Sequence, residues 1–269
     1  VQSDQKTAYM GDDGAYTGLF MFVADKPKDL SAGTLYAAKW IQTSADNGGS
    51  AKLSWIRLGH ASDAEIEALI DGGIKFSQIF AVSNSDPNDP SFKKVKTYMG
   101  TEWLKLKPGM EKAAAFLETR RYAALLGATT EFSKMEGVTH NARDKKAYVV
   151  ISRVEVGMTD IAADPQNDIR LPRNDAGAIF ELTLADGQKD TKGNAINSAY
   201  VATSMTSIPE LLGGWLGFEA DGKTAKKDAE GNRCLQDKVC GGDNLKYAEN
   251  IRTLFVGEDS GNHSNNFVW

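Results

Sequence analysis

The stretch Tyr9-Met10-Gly11-Asp12-Asp13 reads aromatic, apolar, glycine, acid, acid, and the same order returns near the other end as Phe255-Val256-Gly257-Glu258-Asp259. Each copy follows a strand-like run and leads into a turn containing Gly or Asn. A third strand edge carries its carboxylate differently, as Lys134-Met135-Glu136-Gly137-Val138 ahead of the run 147–152. Strand-turn units with a recurring motif point to a propeller or another repeated β architecture. Further runs at 7–10, 19–24, 34–41, 52–58, 178–184, 199–202 and 253–256 are bounded by Gly, Asn or Asp, and several alternate apolar with polar residues as half-buried antiparallel strands do. The expected fold is all-β and propeller-like, with an incomplete set of blades and two helical insertions.

The first helix is expected from Ser62 to about residue 71, with Ser62 as N-cap, Glu65 completing a capping box and Gly72-Gly73 as the stop. The second is expected from about Met110 to Leu126, between Pro108-Gly109 and Gly127. Arg120 and Arg121 interrupt its apolar stripe and are read as solvated side chains, one of them paired with Glu118. The stretches 84–92, 157–177 and 219–245 are loop-like, a length that compact domains keep for loops with a job. No Gly/Ser linker or low-complexity tract marks a boundary, so residues 1–269 read as one domain.

The 269 residues carry 31 Lys+Arg and 36 Asp+Glu, a formal net charge of −5, with a pI of about 5.4 and a mean hydropathy of −0.38. This balance argues against a nucleic-acid partner, which calls for a basic stripe. No apolar run approaches the roughly 18–20 residues of a membrane span; the run 19–24 is only strand-sized. The chain opens at Val1 with no basic-then-apolar leader, so any targeting segment is expected to be absent or already removed. Cys234 and Cys240 sit in a polar loop, too widely spaced for a CxxC redox pair and short of neighbours for a structural zinc site. A local disulfide is favoured over two free thiols, and it implies an oxidising compartment, periplasmic or extracellular.

Adjacent carboxylates at a strand end repel, and one pKa rises unless a cation removes the conflict. Hard ions such as Ca²⁺ take six to eight oxygen ligands. The segment from Glu258 to Asn266, the run Gly242-Asp243-Asn244, and Asp12-Asp13 consist almost entirely of oxygen donors. Any single pair could simply cap a turn; the recurrence at successive strand ends favours metal ligation. His60 and His140 read as structural or surface residues, and His263, inside the acidic loop, as a possible ligand. Trp40, Trp55, Trp103, Trp215 and Trp269 read as packing residues. No nucleophile elbow, HExxH pair, Walker loop or dinucleotide fingerprint is present.

The chain resembles the PhoX-type alkaline phosphatases through YMGDD (9–13) with LFMFVAD (19–25), GTLYAAKW (33–40), FLETRRYAALLGATTEFSKMEGVTHN (116–141), GGDNL (241–245) and LFVGEDSGNHSNNFVW (254–269). The resemblance implies a propeller whose channel holds a Ca²⁺/Fe³⁺ cluster and hydrolyses small phosphomonoesters in the periplasm. Glu136 resembles the carboxylate of the family's basic-Pro-Glu motif, with Lys134 standing where a phosphate-contacting arginine is expected. Asp243 resembles the carboxylate of a Pro-Asp-Asn motif, with Gly242 in place of the proline. Asp12, Asp13, Glu258 and Asp259 are implied as further metal ligands by position. Lys134 and Glu136 are thus the implied catalytic pair, and Asp12, Asp13, Glu136, Asp243, Glu258 and Asp259 the implied ligands. Family members are longer, and the likeness is read as falling on their C-terminal part, without their iron-binding cysteine. At about 40–45 residues per blade, the chain is expected to supply three or four blades and to need a missing N-terminal segment as partner. Two alternatives remain: a calcium-stabilised, non-catalytic binding or structural propeller, and a calcium-dependent lactonase or phytase-like propeller.

Overall fold

A computed structural model describes all residues, 1–269. Fifteen strands and four α-helices follow one another along the chain. The strands are β1 (Thr7–Met10), β2 (Ala15–Thr17), β3 (Phe20–Lys26), β4 (Asp29–Ser44), β5 (Ser50–Ser62), β6 (Phe80–Ser83), β7 (Lys93–Thr97), β8 (Gly100–Leu106), β9 (Phe132–Ser133), β10 (Met135–Asn141), β11 (Lys146–Ile151), β12 (Ala178–Ala185), β13 (Val201–Leu212), β14 (Gly242–Ala248) and β15 (Thr253–Glu258). The helices are α1 (Asp63–Asp71), α2 (Phe76–Ile79), α3 (Glu111–Leu117) and α4 (Thr119–Leu126).

One eight-stranded antiparallel sheet runs in the order β1-β3-β4-β5-β13-β12-β11-β10. It consists of two four-stranded blocks joined through only three residue pairs, Ser204 with Lys52, Met205 with Ala51 and Thr206 with Ser50. The fold is mostly β and propeller-like, as the sequence implied. Strand alternation sorts side chains to two faces. Met21 and Val23 of β3, Trp40 of β4, Trp55 of β5, Val149 and Ile151 of β11 and Phe180 and Leu182 of β12 turn into one core of 27 buried residues. Trp40 meets Phe132 and Phe180 edge-on in its middle.

The outer face is covered by two different groups of elements. Phe20, Leu35, Ala37 and Leu58 pack under α3, α4 and the three-stranded sheet β6-β8-β7. On the other block, Tyr148, Val150 and Ile179 pack under the β14–β15 hairpin through Tyr247 and Val256. Central strands are therefore buried on both faces, which explains why some of their sequences do not alternate cleanly.

The two outer strands approach one another. β2 and β9 form a short ladder beside them, Ala15 facing Ser133 and Thr17 facing Phe132. The Lys134 N–H donates to the Gly14 carbonyl at 2.8 Å, and the Met135 N–H to the Asp12 carbonyl at 3.3 Å. A Cβ on Gly11 would lie 2.8 Å from the Met135 carbonyl oxygen, so only glycine permits this approach. The sheet thus comes close to closing on itself at a seam between the ends of β1 and β10.

Ser62 caps α1 in a capping box with Glu65, as expected. The second expected helix is a correction: it breaks at Glu118 (φ −133°, ψ 42°) into α3 and α4. The two expected helices therefore become three, α1, α3 and α4, and α2 is a fourth that was not expected. Arg121 is not solvated; its guanidinium spans Glu102 at 2.8 and 3.1 Å and also reaches Glu118 at 2.9 Å. β2, β6, β7, β8, β9 and β14 lie where no strand was expected. Cys234 and Cys240 form a disulfide, with Cα atoms 6.2 Å apart. No helix is long and apolar enough to cross a membrane.

Candidate functional site at the sheet seam

A wholly polar cavity of about 370 Å³ opens at this seam, lined by Asp13, Lys134, Glu136, Ser152, Arg153, Asp243, Asp259, Ser260 and Gly241. Each segment arrives for a local reason. Asp13 lies in the short link between β1 and β2, after the Gly11 approach. Lys134 occupies the break between β9 and β10 and adopts φ 51°, a left-handed conformation costing a non-glycine residue roughly 1–2 kcal/mol. Glu136 lies two residues further on, beside a bulge between Met135 and Val138. Ser152 and Arg153 follow the end of β11, and the Ser152 hydroxyl donates to the Gly242 carbonyl at 2.7 Å, tying that strand end to β14. Asp243 lies at the start of β14 and Asp259 just beyond β15, where its N–H donates to the Gly241 carbonyl at 3.2 Å.

The electrostatics centre on Lys134. Its ammonium is hydrogen-bonded to Asp13 and lies 3.5 Å from Glu136. The hydrogen bond from Lys134 holds Asp13 below the usual carboxylate range and raises the lysine. Glu136 moves the other way, to about 7: burial dominates, and the neighbouring Asp13 and Asp243 charges reinforce it against the pull of Lys134. Four carboxylates face Lys134 and Arg153, so negative charge is in excess.

Asp13, Glu136, Asp243 and Asp259 of the expected ligands line this one cavity, together with Lys134. Asp12 does not. Its carboxylate turns to Arg120, which grips both oxygens with Nε and Nη2, the Nη2–Oδ1 distance being 2.6 Å. Glu258 is a second correction. Its side chain is fully buried and takes hydrogen bonds from the Cys240 N–H (2.8 Å), the Phe267 N–H (3.1 Å), Trp269 Nε1 (2.7 Å) and His263 Nδ1 (2.9 Å). A carboxylate so filled has no lone pair to spare for an ion. His263 is spent as well, because Nε2 faces the Leu235 carbonyl at 3.2 Å. The repeated motif thus divides the same way twice: the first acid is locked into the scaffold, and the second lines the cavity.

Ser152 and Arg153 were missed because neither belongs to an acidic motif: Ser152 closes the run 147–152 and Arg153 follows it. Their place at a strand end next to the acids was the available signal. The oxygen-only donor set suits a hard cation. Even so, no three His, Cys, Asp or Glu side chains meet closely enough to hold one ion. Neither cysteine offers a thiolate, since both are in the disulfide.

The family model for alkaline phosphatase PhoX matches residues 1–211. The chain belongs to the PhoX alkaline phosphatase family. The match covers the chain's N-terminal part, so the blocks 241–245 and 254–269 lie outside it. Among solved structures the chain is similar to Pseudomonas fluorescens PhoX in complex with vanadate, a transition state analogue, at 17% identity and a TM-score of 0.53. That alignment covers all of this chain and 40% of the other, so the chain spans well under half of that PhoX protein's length. No curated protein matches it.

Proposed function

We propose that the seam cavity belongs to a phosphomonoester hydrolase of the alkaline phosphatase type. The observation that carries this is the convergence of Lys134 and Arg153 with Asp13, Glu136, Asp243 and Asp259 on one polar cavity in a chain of the PhoX family. Arg153 offers a planar fork suited to two phosphate oxygens, and Lys134 a point charge. Lys134 is held in place by Asp13 and Glu136, so its charge is fixed before substrate arrives, as electrostatic preorganisation requires. Asp13, Glu136, Asp243 and Asp259 are the residues that would hold hard cations, Ca²⁺ and Fe³⁺ by family likeness, and such ions would stabilise the charge of the in-line displacement. Because no three of these side chains meet closely enough to hold one ion by themselves, we assign the remaining donors to a further segment of a longer chain. The buried disulfide favours a periplasmic or extracellular setting.

Turnover of p-nitrophenyl phosphate tests this. Lys134→Ala and Arg153→Ala are each expected to lower kcat/KM by about 10²-fold or more, with the β-sheet circular dichroism of the folded protein retained. Full activity in both variants would remove the assignment. Calcium binding without any turnover would favour a calcium-stabilised binding module instead.

A further inference from the structure

A second cavity, of about 300 Å³, adjoins the first, and Arg153 lines both. The two differ in sign. Beside Arg153 the second cavity collects Arg173, Lys223 and Arg233, with Trp215 and Phe218 as a wall and Asp175 as its lone acid. Asp175 is already committed, because Arg173 Nε reaches it at 2.6 Å and Nη2 at 2.9 Å, while the same guanidinium stacks 4.7 Å from the Phe218 ring centre. Arg153, Lys223 and Arg233 have no ion-pair partner, so positive charge is left uncompensated.

The cavity is also built rather than incidental. Trp215 bridges Cys234 as a strand pair, the Leu216 N–H donates to the Arg233 carbonyl at 3.0 Å, and the Arg233 N–H donates to the Asn262 carbonyl at 2.7 Å. The disulfide closes the same loop one residue beyond Arg233. Arg233 is therefore held at its backbone from two sides, with its charge left for something outside the chain.

We infer that this basic cavity is a leaving-group subsite for a second anionic group, so that the preferred substrates are phosphomonoesters carrying another phosphate, of the bisphosphate class. This rests on the proposed phosphatase reading of the adjoining cavity. Arg153 then serves the scissile phosphate, while Arg233 and Lys223 receive the second anion. A substrate with a neutral leaving group gains nothing from them.

The test compares KM for a sugar bisphosphate and for p-nitrophenyl phosphate in the wild type and in the Arg233→Gln/Lys223→Gln double variant. The expected result is a rise of about tenfold in KM for the bisphosphate, on the scale of a lost charge-assisted contact. KM for p-nitrophenyl phosphate and kcat for both substrates should stay within about twofold. Equal effects on both substrates, or none, would overturn the subsite. Methylene bisphosphonate, which cannot be hydrolysed, keeps the question open to an answer if neither substrate turns over. Its saturable quenching of tryptophan fluorescence should weaken about tenfold in the double variant and lose amplitude in Trp215→Phe. An unaltered titration would overturn the subsite, whereas a weakened one without turnover would remove only the phosphatase reading.

Discussion

At the scale of single residues, the two copies of the acid pair divide labour by their partners. Asp12 is taken by Arg120 and Glu258 by His263, Trp269 and two backbone N–H groups, whereas Asp13 and Asp259 line the cavity. Glu258→Ala leaves those buried donors unpaired and is expected to cost about 3 kcal/mol or more in urea unfolding. Asp12→Ala, at a partly exposed ion pair, should cost about 1 kcal/mol. Asp13→Asn and Asp259→Asn should leave unfolding nearly unchanged while lowering turnover; the reverse assignment of costs would refute the division. The pairs themselves were legible in the sequence. Which member is sequestered was not, because Arg120 comes to Asp12 across 108 residues. Glu131 was missed for a related reason: it sits alone between Thr130 and Phe132, with no charged residue beside it. Burial and the nearby Asp168 raise it from 4.5 to about 7, against the Asp168 and Ile169 N–H groups that it accepts. A carboxyl raised on folding adds stability in full below its unfolded value, and that stability is lost as pH climbs through its folded one. Glu131→Gln should therefore melt close to wild type near pH 4.5 and higher than wild type near pH 8. A melting difference independent of pH would contradict this.

At the scale of elements, strands with two buried faces or a clear alternation were readable, and those held by one or two anchors were not. β7 reads Lys-Lys-Val-Lys-Thr and buries only Val95 and Thr97, so its lysines hide an alternation that is present. β14 begins at Gly242, inside a loop-like stretch, and gains its strand from pairing with β15. The break at Glu118 was equally hidden, since the spacing of apolar residues continues across it. β10 and β14 illustrate how element packing sets the site. A Cβ on Gly137 would stand 2.6 Å from the Asp243 carbonyl oxygen and 2.7 Å from the Leu245 nitrogen. Gly137→Ala must push the two strands apart, and with them Glu136 and Asp243. Overpacking of this kind costs about 1–3 kcal/mol. The expected signature is a lower melting temperature with a fall in kcat/KM larger than that of an Ala substitution at Gly257, where the nearest neighbour would be 3.7 Å away. Equal kinetics in the two variants would mean that the separation of these strands does not govern the site.

At the scale of the whole molecule, the cavity exists because a long sheet returns to its own beginning. Asp12–Thr17 meet Phe132–Met135 through backbone hydrogen bonds spanning more than a hundred residues, a pairing that no local pattern announces. The sequence nonetheless indicated acids from distant segments, and Asp13, Glu136, Asp243 and Asp259 do share one cavity. Their like charges at the seam oppose its closure, with Lys134 and Arg153 as partial relief. A divalent cation bound there would favour the folded state by mass action, by about 2.7 kcal/mol at a hundredfold excess over its dissociation constant. Chelation should accordingly lower the melting temperature and added Ca²⁺ restore it. The double variant Asp13→Asn/Asp243→Asn should lose the response, because it lowers the repulsion among the four cavity carboxylates and removes two of the proposed ligands. In that variant the melting temperature without metal should equal or exceed that of metal-free wild type. Calorimetry with and without chelator, paired with metal analysis of the same samples, separates the outcomes. A wild-type melting temperature indifferent to both chelator and Ca²⁺ would mean that Lys134 and Arg153 alone balance the seam, and that its carboxylates hold no ion in this chain.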